Sequence, residues 1–166
     1  MPTQQKLVDI DGAEAVSNIL IELLNRFPGL GGKEILFSTL DETSGIGFFP
    51  TSGSAVLSNT EDVIGHVKQV CLYPFNVVYR AAPKTEAQKI RIKEFLDGLG
   101  KWLELQPVTI EETQHKLTAY PALLSGNRVI KSINRTNPGH LSASYADGIE
   151  DWVLSAALQY ENEFDK

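Results

Sequence analysis

Apolar residues recur along this chain with two different periods, and the changes of period divide it into elements. Val16, Ile19, Leu20, Leu23, Leu24 and Phe27 return at three- and four-residue spacing, which makes one apolar stripe and predicts a helix over residues 12–26. Asp11 is its expected N-cap, with Glu14 three residues on, and Pro28-Gly29 and Gly31-Gly32 end it. Short apolar runs at 34–39, 45–50 and 54–58 then read as strands, separated by turn-forming clusters at 41–45 and 50–53. Residues 66–82 form a long strand candidate, with Cys71, Tyr73, Phe75, Val77 and Tyr79 alternating on one face. Val70, Leu72 and Val78 put apolar groups on its other face as well, and Pro74, which has no N–H to donate, implies an edge, a bulge or a break.

The helical period returns at 86–105 in Ile92, Phe95, Leu96, Leu99, Trp102 and Leu103, behind a capping box of Thr85 and Gln88. Gly98 and Gly100 weaken this helix by roughly 1 kcal/mol each relative to Ala, a cost that fits close backbone packing or a fraying end. Residues 106–126 show no clear period. A strand follows at 127–134, then an expected turn at Thr136-Asn137-Pro138-Gly139. The final strand spans 151–164, where Trp152, Leu154, Ala156, Leu158 and Tyr160 alternate with Ser155, Ala157, Gln159 and Glu161. Strands follow one another rather than alternating with helices, so the expected class is α+β: a mainly antiparallel or mixed sheet flanked by two principal helices. No repeat or linker divides the chain, which reads as one domain over 1–166 with a hairpin arm at 39–60.

Composition narrows the function. With 166 residues, 42% hydrophobic and 22% charged, the chain can bury a full core and is not a disordered segment. A net charge of −6 disfavours specific binding to nucleic acid phosphates. Cys71 is the only cysteine, which excludes an internal disulfide and a thiolate zinc site. Residues 1–10 are polar and mixed, without an apolar targeting core, and no apolar run approaches the ~20 residues that span a bilayer. The expected compartment is the bacterial cytoplasm or a particle assembled there, and the Asn134-Arg135-Thr136 sequon is discounted accordingly.

Little chemistry emerges. His66, His115 and His140 fall on separate elements, and neither an HExxH nor a GxSxG motif is present. The run Gly29-Leu30-Gly31-Gly32-Lys33-Glu34 fails the P-loop template, because Phe27 stands where a glycine is needed and Glu34 where Ser or Thr is needed. It also lacks the third glycine of a dinucleotide fingerprint, and reads as a helix-to-strand turn. Acidic pairs at Asp41-Glu42, Glu61-Asp62, Glu111-Glu112 and Glu150-Asp151 lie in turns or at element starts, where carboxylates are solvated rather than tuned for acid–base work. The segment 142–148 resembles the HHxxxDG signature of CoA-dependent acyltransferases. However, Ala143 holds the position of the general base, Ser142 that of the first histidine, and His140 lies two residues short of it. No catalytic, cofactor or metal residue is therefore assigned, and the expectation is a protein that is not an enzyme and carries no cofactor.

Taken along most of its length, the chain resembles the small tail-completion, tail-terminator or minor capsid proteins of siphophages and prophages of Gram-positive bacteria. The resemblance rests on the N-terminal amphipathic helix, the Gly-Ile-Gly-Phe-Phe-Pro and Asn-Val-Val-Tyr-Arg strands, the Thr85-capped helix and the closing Asp-Trp-Val-Leu-Ser-Ala-Ala-Leu-Gln-Tyr-Glu segment. It implies a ring, often six-fold, that ends growth of the tail tube and joins tail to head. Its expected partners are further copies of itself, the tail-tube protein and the head-completion or connector proteins. The expected location is the virion neck, with no membrane contact and with DNA passing through without specific binding. A ring built head to tail needs two different complementary surfaces on each subunit. Phe48 and Phe49 are successive strand residues and cannot both face inward, so one of them is an interface candidate, as is Pro74. Asp41, Glu42, Glu61 and Asp62, which flank the expected arm, are the candidates for carboxylates that line a bore and repel DNA.

Overall fold

The protein is described here from a computed structural model, which covers residues 13–51, 55–122 and 127–166. In chain order these form α1 (Ala13–Leu24), β1 (Ile35–Phe37), β2 (Gly45–Pro50), β3 (Ala55–Glu61) and β4 (His66–Ala81). There follow α2 (Glu86–Leu103), β5 (Val108–Ile110), β6 (Thr113–His115), β7 (Asn127–Ser144) and β8 (Glu150–Asp165), with short 3-10 turns at Pro28–Leu30 and Ala146–Gly148. The main sheet runs β1-β2-β4-β8-β7. Its pairs are antiparallel except for the parallel β1–β2 pair, so the class is α+β with a mixed sheet.

β4 and β8 make the centre because their alternation is the most regular in the chain. They pair along their whole length, from His66↔Asp165 to Ala81↔Glu150. Cys71, Tyr73, Phe75 and Val77 point to one face beside Leu154, Ala156, Leu158 and Tyr160, and all are buried. Against that face pack Val16, Leu20, Leu23 and Leu24 of α1 and Leu96, Leu99 and Leu103 of α2, giving one core with both helices on the same side. The Tyr73 hydroxyl meets Ser17 Oγ at 2.6 Å, and burial raises the phenol above its ordinary value, partly offset by this bond. Asn25, just past α1, holds β1 in place: its amide donates to the Ile35 carbonyl at 2.9 Å and accepts from the Ile35 N–H at 2.8 Å. At α2 the expected cap forms, with Thr85 Oγ1 accepting from the Gln88 N–H at 3.2 Å. Gln88 reaches back one residue further than a standard box, to the Lys84 N–H at 2.6 Å. Asp11 lies outside the described residues.

Three expectations change. First, Thr136-Asn137-Pro138-Gly139 is not a turn but lies within β7, which stays extended from Asn127 to Ser144. The strand absorbs these turn-formers through register shifts between Arg135 and Asn137 and between Asn137 and His140. Asp97 of α2 takes the Gly139 N–H at 2.8 Å, so that donor is satisfied without a ladder partner. Second, residues 39–60 are not a hairpin arm. β2 and β3 both pair with β4, β2 along Phe75–Arg80 and β3 along Val67–Leu72, so the hairpin in this region is β3–β4. Pro74 sits at the gap between them, where its missing N–H breaks no ladder and its carbonyl accepts from the Thr51 N–H at 3.1 Å. Third, part of the stretch left without a period is the small β5–β6 hairpin. Its two turn residues, Glu111 and Glu112, both have positive φ (48° and 66°), which is strained for residues with a side chain.

The α2 glycines divide in role. A Cβ at Gly100 would lie 2.3 Å from Arg135 Cδ, so this glycine is what lets β7 approach α2; Gly98 has ordinary spacing. The bare backbone of Gly139 is also close to the helix, 3.0 Å from Leu96 Cβ to the Cβ it would carry.

Candidate functional site

Alternation on β4 sends Val70, Leu72, Pro74, Asn76 and Val78 away from the helices. Opposite them on β8 stand Glu161, Gln159, Ala157, Ser155 and Val153. Ser155 Oγ donates to Asn76 Oδ1 at 2.7 Å in the middle of this face. Among the described residues no helix covers it, so the sheet presents a broad surface of half-buried apolar and small polar groups. Its edges are open too: β1 carries exposed Leu36 and Phe37 on one side and β7 carries exposed Val129 and Leu141 on the other.

One corner of this face is closed by a charged cluster. Arg80 of β4 binds Asp151 of β8 through two parallel bonds, Nε–Oδ1 at 2.7 Å and Nη2–Oδ2 at 2.9 Å. The Tyr145 hydroxyl donates to Asp151 Oδ2 at 2.9 Å, its ring lies 5.3 Å from the guanidinium, and Arg80 Nη1 also donates to the Asp41 carbonyl at 3.1 Å. The hydrogen bonds from Arg80 hold the Asp151 carboxyl below the usual carboxylate range. The cluster ties together β4, β8, the end of β7 and the β1–β2 loop. Every polar atom named has its partner inside the cluster, which is the arrangement of a structural fastener.

The opposite end of β4 carries a second fastener. His66 Nδ1 lies 2.8 Å from Asp165 and Nε2 3.4 Å from Glu163, and the hydrogen bond with Asp165 raises the imidazole above its ordinary value. Lys166 pairs with Glu61 at 2.8 Å, and its N–H donates to the Gly65 carbonyl at 2.8 Å. The end of the chain is thereby clasped to the β3–β4 hairpin.

The residues singled out in the sequence are scattered over these features. Phe48 is fully buried, with its ring against Phe75 at 5.3 Å and Tyr73 at 6.3 Å, so it belongs to the core and is not an interface residue. Phe49 is the half-buried neighbour on the uncovered face. Its ring occupies the space where a Cβ of Gly47 would be, 2.5 Å away. Pro74 is half-buried on that same face. Asp41, Glu42, Glu61 and Asp62 are all exposed, but at two separate places: the first pair in the β1–β2 loop, the second at the β3–β4 turn. Asp62 is structural in part, since its Oδ1 accepts from the Ile64 and His66 N–H groups, both at 3.0 Å.

No chemistry converges on the acyltransferase-like segment. Ser142 and Ser144 are exposed at the end of β7, and His140 Nδ1 lies 2.8 Å from the Pro138 carbonyl. Among the described residues no three His, Cys, Asp or Glu side chains gather as metal ligands. Gly31 and Gly32 sit at φ of 58° and 84° in the turn from helix to strand. The Glu150-Asp151 pair, expected to be solvated, is buried instead, and sequence reading missed the partners of Asp151, Arg80 and Tyr145, the first of them 71 residues away. An arginine and a carboxylate on the same face of two long strands were the available signal, and it needs the β4–β8 register to be known. No family model matches the sequence, and no curated protein matches it at significant similarity.

Proposed function

We propose that this chain is a structural, ring-forming component of a long-tailed bacteriophage: a tail terminator that ends growth of the tail tube and joins tail to head. The observation that carries the reading is the one-sided sheet, with both helices on one face and the other face and outer strands left uncovered among the described residues. A surface of that kind serves association better than catalysis, because its polar groups are spread along strands rather than gathered in a cleft. The family resemblance in the sequence supplies the assembly. The net charge of −6 suits a conduit through which DNA slides without gaining the counterion release that drives binding. Copies of the chain would contact one another, the tail tube and the head-completion proteins, and the protein would reside in the neck of the virion.

Electron microscopy of particles assembled without the chain tests this. Tails of uncontrolled length are expected. Tails of normal length detached from their heads would instead assign a different neck role, and fully normal particles would refute the reading.

A further inference from the structure

The β3–β4 hairpin ends in a turn that holds two large apolar side chains in water. Val63 is fully exposed and Ile64 is 85% exposed, more than any other large hydrophobic residue described. The turn that carries them is braced. Asp62 Oδ1 accepts the N–H groups of Ile64 and His66, the Gly65 N–H donates to the Asp62 carbonyl at 3.2 Å, and Lys166 clasps the Gly65 carbonyl from outside. A fixed apolar knob has already lost the freedom that binding would otherwise remove, which favours its use as an anchor. It is preceded directly by two carboxylates, Glu61, which pairs with Lys166 at 2.8 Å, and Asp62.

At the far end of β4 lies an open groove of about 420 Å³ whose apolar lining is Tyr79, Ala81, Ala82, Pro83, Ile92 and Phe95. Two cations, Lys33 and Arg91, stand in its lining, and no carboxylate does. Knob and groove are complementary in polarity, an apolar tip against an apolar floor, and in charge, since the Asp62 carboxylate beside the tip is matched by a lining that holds two cations and no carboxylate. They cannot meet within one molecule. The 16 residues of β4 between them span about 50 Å at ~3.3 Å per residue.

We propose that the hairpin tip of one copy, Val63 and Ile64, seats in the Tyr79–Phe95 groove of the next copy. The occupant of the groove is thus a second copy of this chain, and the contact is head to tail. A contact of this type closes into a ring when its rotation permits and otherwise runs on as a filament. The inference deepens the ring reading above and rests on it.

Disulfide trapping between two variants tests the contact. Ile64→Cys and Ala82→Cys place one thiol at the tip and one at the exposed wall of the groove, while the native Cys71 stays buried in the core. Mixed under mild oxidation, the two variants are expected to give a cross-linked pair that neither forms alone. The doubly substituted chain is expected to give a ladder of higher species. A second variant, Ile64→Asp, removes the apolar anchor from a position that is already solvated. It should keep the circular dichroism of the parent while weakening self-association about tenfold or more. If the parent assembles but tip and groove do not cross-link and Ile64→Asp assembles normally, this contact is wrong and the ring reading survives on another surface. Tip-to-tip disulfides in place of tip-to-groove ones also overturn it. A parent chain that stays monomeric at every concentration and never cross-links defeats both.

Discussion

Replacing Asp151 with Ala removes the acceptor at the centre of the Arg80–Asp151–Tyr145 corner. The carboxylate is nearly buried, its side chain 9% exposed, while that of Arg80 is 21% exposed. The substitution leaves a guanidinium without its two-point partner and a phenol hydroxyl without its acceptor. Hydrogen bonds to charged groups contribute about 1.5–3 kcal/mol each when shielded, and partial exposure of the arginine cuts that gain toward surface values. A net loss of about 2 kcal/mol follows, or about 4–8 °C in Tm for a chain of this size. Urea denaturation of Asp151→Ala, Arg80→Met and the double variant measures the coupling directly. The double variant should lose less than the sum of the singles by about 1–2 kcal/mol, because Arg80→Met removes the stranded charge. There is a pH signature as well. The Asp151 carboxyl lies lower in the folded chain than in the unfolded one, so its contribution is full above the ordinary carboxylate pKa and is lost as pH falls through the folded value. Asp151→Ala should therefore lose less stability than the parent on acidification. Additivity of the two single substitutions within ~0.5 kcal/mol, with unchanged acid sensitivity, would refute the coupling.

Gly100→Ala should destabilise by about 1 kcal/mol in spite of the helix propensity it gains, because its Cβ meets Arg135 Cδ at 2.3 Å and Arg135 is held by Glu104 at 2.9–3.0 Å. In an Arg135→Ala background the same change should become stabilising, and a thermal melt that shows no reversal of sign would contradict the steric account. Leu158→Ala, at a position with no exposure in the core beneath both helices, should cost about 2–5 kcal/mol in chemical denaturation, and a loss under 1 kcal/mol would place it outside the core. His66 has a raised pKa, so its grip on Asp165 and Glu163 is full below about pH 6.5 and lost as pH rises through the folded value. Amide protection in the last strand near Asp165, with the base-catalysed intrinsic rate divided out, should fall over that rise in the parent but not in His66→Ala. Equal profiles in the two would remove the clasp.

The elements with strong periodicity were legible from the chain alone. Both helices, the Thr85 cap and the two central strands follow from spacing, since one face of each is buried against a single core and burial fixes the period. What sequence could not supply were partners distant along the chain. Thr136 to Gly139 reads as a turn because its local preferences favour one, and pairing with β8, together with Asp97 of α2 taking the Gly139 N–H, keeps it extended. Residues 39–60 look like an arm because they are rich in Ser, Thr and Gly, but β4 is long enough to take both strands end to end along one edge. Phe48 and Phe49 had to face opposite ways, as they do; which of the two faced the core depended on register with β4. The knob and groove were invisible for a similar reason. Val63 and Ile64 lie between turn residues, where apolar character gives no period, and the groove draws on residues from Lys33 to Phe95.

The proposed self-assembly uses surfaces that the fold leaves uncovered. Native mass spectrometry of the purified chain, over protein concentrations from about 1 to 100 µM, measures it most directly. Below a dissociation constant of ~10 µM, about −7 kcal/mol of association energy, closed species should dominate the upper range. One discrete ring is expected, six-fold by the family resemblance, and Ile64→Asp should break it down to monomers. A parent chain that remains a monomer of 18.3 kDa throughout would contradict it.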